Sequence, residues 1–283
     1  MDRKKLKSKD ANDLTFLEHL EVLRGHLLRS LASIGVFAIV AFLLKDIIFD
    51  HILLAPKSAD FWTNQFFCKA GALLNTDKLC LNSGDLELIN IDLSGQFRIH
   101  LSIAFYGGLV LAAPYIFFEI YRFILPALKE KERKYSRGMV FYTSGLFMIG
   151  VLFGYFLIIP LTINFLGGYS VSGQVENQIN LKSYISTVTS LIFSTGLVFE
   201  LPIFVYFLSK VGLITPAFMR RYRKHAIVVI LVLSGIITPP DVFSQMLITI
   251  PMYLLYEVSI FISARIERQR NEREEREEAE ARM

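Results

Sequence analysis

This chain is poor in almost everything that soluble enzymes are built around. Only 20% of its residues are charged, it has a single Trp, and its five His never form a His-Glu-x-x-His pair. That excludes a helix-borne zinc centre of the metalloprotease type. His19 and His26 stand seven apart on one predicted helix without a third ligand nearby, so no metal site and no cofactor is expected. No stretch reads Gly-x-x-x-x-Gly-Lys-Ser/Thr or Gly-x-Ser-x-Gly, which excludes a phosphate-cradling loop and a hydrolase nucleophile elbow. There is no internal repeat or inverted pair of halves, which weighs against a repeat-built secondary transporter. A cleavable signal peptide is not expected, because residues 1–26 before the first apolar run are polar or amphipathic.

What the chain does have is apolar length. Apolar residues make up 53% of it and the mean hydropathy is +0.45, more than a soluble domain carries. The apolar runs are Leu27–Leu44, Ile99–Ile124, Val140–Phe165, Ser186–Leu208, Ala226–Ile237 and Val242–Ile262. Of the 30 Lys and Arg, all but Lys45, Lys57, Lys69, Lys78, Arg98 and Lys182 fall on one side of the map these runs draw. Basic residues beside short loops stay cytoplasmic. The pattern therefore predicts an all-α, polytopic membrane protein with six transmembrane helices and both termini in the cytoplasm. The basic groups are explained by topology, so no nucleic-acid partner is expected.

Three parts follow along the chain. Residues 1–26 are a cytoplasmic amphipathic segment, with Leu17, Leu20, Leu23 and Leu27 at helical spacing and Asp13 or Thr15 as cap. Residues 27–264 form the membrane domain, with a long outer loop at about 45–95. Residues 265–283 are a Glu/Arg-rich cytoplasmic tail, either a solvated helix or disordered. The only two cysteines, Cys68 and Cys80, share the outer loop; they pair there in an oxidising compartment, or stay as two free thiols. Trp62, Phe61, Phe66 and Phe67 are interfacial anchors in the same loop.

The last two helices are predicted to be short. A hydrocarbon core of about 30 Å needs about 20 helical residues, whereas Ala226–Ile237 is followed at once by Pro239-Pro240, which force a turn. Pro114, Pro126, Pro160, Pro202 and Pro251 mark the other helices. Each frees a carbonyl that neighbouring helices must satisfy, and several bent helices suggest a curved scaffold.

Glu200, in Leu197-Val-Phe-Glu-Leu-Pro202, is the sharpest polar signal. A carboxylate at bilayer depth costs roughly 2.5–3.5 kcal/mol on insertion scales, so it should face protein or water. Its roles remain a proton site, an ion ligand, or a polar contact between helices. Glu257 and Gln245 lie nearer span ends, where interhelical hydrogen bonding is the default. Glu130 and Glu132 stand among basic residues in an inner loop.

Four stretches together resemble the TatC family, the largest subunit of the bacterial twin-arginine protein translocase. They are Phe16-Leu-Glu-His-Leu-Glu-Val-Leu-Arg24, Phe123-Ile-Leu-Pro-Ala-Leu-Lys-Glu-Lys-Glu-Arg133, Gly196-Leu-Val-Phe-Glu-Leu-Pro202, and Thr238-Pro-Pro-Asp-Val-Phe-Ser-Gln245 running on to Pro251-Met-Tyr-Leu-Leu-Tyr-Glu257. They occur in family order across nearly the whole chain. The resemblance implies a cupped six-helix fold with a concave face, and a non-enzymatic receptor in the bacterial inner membrane. Such a receptor binds twin-arginine signal peptides and exports folded proteins on the proton gradient. It works with single-span TatA/TatB-type partners, as a homo-oligomer within the complex.

By the same resemblance, Glu132 with Arg133 binds the arginine pair. Carboxylates suit this because guanidinium pairs with them in a planar, bidentate manner that Lys cannot match. The family's second Glu falls on Val22 here, so Glu18 or Glu21, near Arg24, is expected to substitute. Glu200 is expected to receive a peptide or partner, and Thr238, Gln245 and Glu257 to contact partner helices. A proton-coupled secondary transporter using Glu200 is the alternative, and a scaffold that only assembles other subunits a third reading.

Overall fold

The computed structural model describes residues 16–73, 86–125, 138–172, 174, 177–238 and 241–282, giving only the backbone course at 16–19 and 281. The architecture is all-α, as expected. Helix α1 is Phe16–Leu43, α2 is Trp62–Leu73, α3 is Gly95–Ile124, and α4 is Met139–Phe153. A π segment, Gly154–Ile158, joins α4 to α5, Ile159–Gly168. Then follow α6 (Leu181–Val198), α7 (Leu201–Lys210), α8 (Pro216–Arg221), α9 (Arg223–Ile237) and α10 (Val242–Ala281). Two strands of two residues, β1 (Leu88–Ile89) and β2 (Ile179–Asn180), pair in parallel; nothing in the apolar pattern announced them.

Among the described residues, five helical stretches are long and apolar enough to cross a membrane: Leu20–Leu43, Gly95–Ile124, Met139–Gly168, Leu181–Lys210 and Val242–Glu280. The remaining apolar run forms α9, whose 15 residues cover about 22 Å at 1.5 Å per residue. It is short, as its sequence requires. The last helix is not. Of the two alternatives for the charged tail, the solvated helix is the one seen: it continues α10 without a break, so α10 has 40 residues. Its charged end is exposed and carries ion pairs one turn apart, Arg268–Glu272 (2.9 Å) and Arg270–Glu274 (3.5 Å), the spacing that supports a solvated helix.

Helix α1 is continuous as well: the amphipathic segment and the first apolar run form one helix of 28 residues. Gly25 is the only weak helix former where they meet. Its cost is about 1 kcal/mol relative to Ala, too little to break a long Leu-rich run.

The chain divides into two compact units. The first comprises residues 1–51 and 92–146, the second residues 52–91 and 147–283. The first unit is the pair α1 and α3, packed through small residues. Ala41, Ala104 and Ala112 are buried between them. A Cβ on Gly108 would come within 2.6 Å of the Ala38 backbone nitrogen, so glycine there sets how closely the two backbones approach. Beyond this contact, the Phe42 and His100 rings stack with centroids 3.9 Å apart, and His100 Nε2 donates to the Phe42 carbonyl at 3.0 Å.

In the second unit, close approach recurs where α4 crosses α6. A Cβ on Gly150 would lie 2.7 Å from the Thr195 carbonyl oxygen, and one on Gly196 would meet Phe147 at 2.7 Å. Proline explains the joint between α4 and α5. Pro160 has no N–H, so a carbonyl one turn earlier loses its helical donor, and Thr63 Oγ1 donates to the Phe156 carbonyl instead. Beside it, fully buried Asn64 donates to the carbonyls of Pro56 (3.3 Å) and Ser58 (2.7 Å) and accepts from Asn164 Nδ2 (3.3 Å). Tyr155 and Tyr184 donate to the carbonyls of Ile52 and Leu53. Irregular backbone next to the bundle is thus satisfied by side chains, as the scarcity of water demands. Trp62 and Phe66, stacked and exposed, stand on α2 as interfacial anchors would. Cys68 is in a disulfide; Cys80 lies outside the described residues.

Gly108→Val is expected to push α1 from α3 and destabilise the first unit by about 1–3 kcal/mol, the usual cost of overpacking. Thermal unfolding of the detergent-purified protein measures this, and an unchanged midpoint would show that the helices have room to separate.

Candidate functional site

In the first unit the site is built around a residue the sequence reading passed over. Glu119 stands one turn before the end of α3, in Tyr115-Ile-Phe-Phe-Glu-Ile, and its side chain is 1% exposed. An isolated carboxylate in such a place would cost several kcal/mol. Four groups compensate it. His26 Nδ1, on α1, lies 2.5 Å from Oε2, and the carboxylate requires that nitrogen to carry the proton. Arg29 Nη1, one turn further along α1, donates to the same oxygen at 3.2 Å. On α3 itself, Tyr115 donates to Oε1 at 2.9 Å, and Arg122 Nη1 lies 3.7 Å from Oε1. The arginines are about half exposed, 51% for Arg29 and 48% for Arg122. They cover the carboxylate from the side rich in basic residues, and Arg122 also sits 5.5 Å above the Phe118 ring centre.

One signal could have revealed this cluster. Glu119 is a carboxylate inside an apolar run, by the same criterion that singled out Glu200, while His26 and Arg29 are polar residues at the mouth of the first span. The residues expected to bind the arginine pair stand as follows. Val22 is half-buried and shares a face of α1 with His26, four residues on; Glu21 and Arg24 are exposed. Glu18 is on α1, where only the backbone course is described, and Glu132 and Arg133 lie outside the described residues.

In the second unit, Glu200 occupies an interruption between α6 and α7 inside the helical stretch Leu181–Lys210. Helix α6 stops at Val198, and Glu200 is the residue before α7, with Pro202 at the second helical position. Proline is compatible with the first turn and disfavours helix in the residues before it, which explains the division. Glu200 is half-buried, and its Oε1 is buried without a hydrogen-bond partner among the described residues. An unmet acceptor of this kind is costly.

The hairpin α9/α10 gathers the other expected residues. Asp241 caps α10 by accepting from the Ser244 amide at 2.7 Å. Thr238, buried, donates to the Ser234 carbonyl at 2.9 Å, and Gln245 Nε2 donates across to the Leu231 carbonyl at 2.8 Å. The Ser234 and Thr249 hydroxyls meet at 2.8 Å. Gln245 and the Ser234–Thr249 contact therefore hold the two helices of the hairpin to each other, while Thr238 closes the end of α9 on its own helix. Glu257 pairs with Arg223 Nη2 at 2.6 Å and accepts from Tyr253 at 2.9 Å, tying the start of α9 to α10.

These features define a class: a multi-pass helical membrane protein whose polar groups lie at helix ends and breaks, with no group of His, Cys, Asp and Glu among the described residues that could hold a metal. The model of the Sec-independent protein translocase protein (TatC) family matches residues 18–251. The chain belongs to this family, whose members are translocase subunits and not enzymes. It is 41% identical to the TatC protein of Blattabacterium sp. subsp. Periplaneta americana over 90% of this chain and 96% of that protein. It is 32% identical to the one from Desulforapulum autotrophicum, over 96% and 92%. Two crystal structures of a twin-arginine translocase receptor, TatC, match with TM-scores of 0.69 and 0.71. Each is 32% identical and covers 87% of this chain; this chain covers 97% and 99% of them.

Thr249→Val should cost about 1 kcal/mol, because Ser234 loses a buried partner. The double variant Ser234→Ala, Thr249→Val should cost less than the sum of the two single changes. Thermal midpoints of all three variants in one detergent decide this; strict additivity would mean the hydroxyls do not interact.

Proposed function

We propose that this chain is the receptor and core subunit of a twin-arginine translocase in the bacterial inner membrane. It binds twin-arginine signal peptides of folded cargo proteins and exports them with single-span TatA/TatB-type partners, as a homo-oligomer within the complex, on the proton gradient. The observation that carries this reading is the family match over residues 18–251, together with the solved receptor structures that share its fold. The chemistry agrees. Guanidinium groups need carboxylates in fixed positions, and Glu132 in the inner loop and the residues at the start of α1 supply acidic and basic groups where a cytoplasmic signal peptide arrives.

In this reading Glu200, at the α6/α7 break, offers its unmet oxygen to the peptide or to a partner helix. Thr238 and Gln245 shape the hairpin surface against which a partner packs, and Glu257 fixes its base. A proton-coupled solute transporter would also use Glu200, but the family match favours the receptor.

Crosslinking of a signal peptide in membranes tests the proposal. An Arg-Arg peptide is expected to label the wild type strongly, its Lys-Lys version weakly, and Glu132→Ala to lose most of the Arg-Arg signal. Equal labelling in every combination would overturn it. Glu200→Ala is expected to accumulate in the membrane at normal levels while export of a folded reporter falls at least tenfold. Normal export by this variant would return Glu200 to a structural role.

A further inference from the structure

The departure at Val22 leaves α1 without a carboxylate where the family resemblance places one, and Glu119 pairs with His26, one turn along α1 from that position. Val22 and His26 are four apart, about one 5.4 Å turn, on the same face of α1. His26 touches the Glu119 carboxylate from that face. The missing negative charge is therefore present between the same two helices, supplied by α3. Beside His26 and Tyr115, its present partners include two guanidinium groups, Arg29 on Oε2 and Arg122 beside Oε1.

We propose that Glu119 is the second signal-peptide carboxylate of this chain, and that Arg29 and Arg122 occupy it as internal stand-ins for the peptide's arginine pair. The inference rests on the receptor reading given above.

The physical case is one of exchange. Glu119 is buried, so it cannot be left bare; losing all its positive partners would cost several kcal/mol. Arg29 and Arg122 are half exposed, so each can swing into water or the headgroup region at small cost. For Arg122, the Phe118 ring offers an alternative seat. An incoming guanidinium that replaces one of them keeps the carboxylate paired throughout. Tyr115 and His26 meanwhile donate to the two oxygens and hold their orientation. A lysine ammonium is a compact charge without the planar fork, and would exchange poorly. The internal arginines thus set a threshold that a twin-arginine peptide passes and a lysine peptide does not.

The test is binding of a fluorescent Arg-Arg signal peptide, and of its Lys-Lys version, to the full-length protein in nanodiscs. Glu119→Gln is expected to weaken Arg-Arg binding about tenfold and to narrow the Arg-Arg over Lys-Lys preference. Arg29→Gln removes a competitor and leaves Glu119 with His26 and Arg122; it is expected to strengthen Arg-Arg binding several-fold. The double variant should bind like Glu119→Gln alone.

The proposal is overturned if the wild type discriminates between the peptides and Glu119→Gln does so equally well, or if Arg29→Gln weakens binding. In either case the receptor reading survives without it. A wild type that binds both peptides alike would remove the receptor reading itself. If Glu119→Gln fails to fold, Arg29→Gln and Glu119→Asp carry the same test. Glu119→Asp shortens the reach to a guanidinium while keeping the charge, and unchanged affinity there together with a neutral Arg29→Gln also overturns the proposal.

Discussion

A carboxylate withdrawn from water must keep a positive partner, and in the first unit Glu119 makes that requirement structural. Its oxygens join two residues of α1 to two of α3. At the other end the same helices are joined by the His100 and Phe42 contact, with Gly108 setting their spacing between. Polar groups fix the ends and small residues the middle. Such a division suits a helix pair in a membrane, where apolar side chains gain nothing by leaving lipid for protein. Because His26 and two half-exposed arginines share the one carboxylate, it stays paired when a single arginine leaves and is left uncompensated only when all its positive partners go.

The second unit meets the same constraint by another route. Proline interrupts the helical hydrogen-bond ladder at Pro160 and Pro202, and the structure answers differently at each. At the first, Thr63 reaches the Phe156 carbonyl and Asn64 gathers the carbonyls of Pro56 and Ser58. At the second, the helix stops and restarts, and Glu200 is left in the gap with an unmet oxygen. The first break is satisfied on every side, whereas the second keeps one buried carboxyl oxygen unpaired among the described residues. The hairpin α9/α10 belongs to the satisfied kind. Thr238, Gln245, Ser234 and Thr249 spend their hydrogen bonds inside it.

Recognition of an arginine pair by such a protein is a matter of differences. Specificity for Arg over Lys requires a site already built for guanidinium geometry, and a site that holds its own guanidiniums at rest has been shaped by them. Glu21 and Arg24 are exposed, whereas Tyr115 and His26 hold the orientation of the buried Glu119 carboxylate.

The sequence by itself determined what composition and spacing can carry. Long apolar runs with one-sided basic flanks imply an all-α membrane protein, because every backbone group in lipid must be satisfied within its own helix. Pro239-Pro240 and the short run before them imply a short α9, and the four motifs imply the family. What required tertiary structure was every fact about who meets whom. Glu119 looked like one polar residue in an apolar run, because His26 and Arg29 are more than 80 residues away in the chain; only the packing of α3 on α1 makes them its partners. Thr238 and Gln245 were legible as polar, but that Gln245 reaches the Leu231 carbonyl of α9 while Thr238 bonds within its own helix depends on how α9 and α10 pack. That α1 and α10 run on without a break was left open too. A change from apolar to charged composition marks where the surroundings change, while a helix ends only where a breaker or a cap stops it.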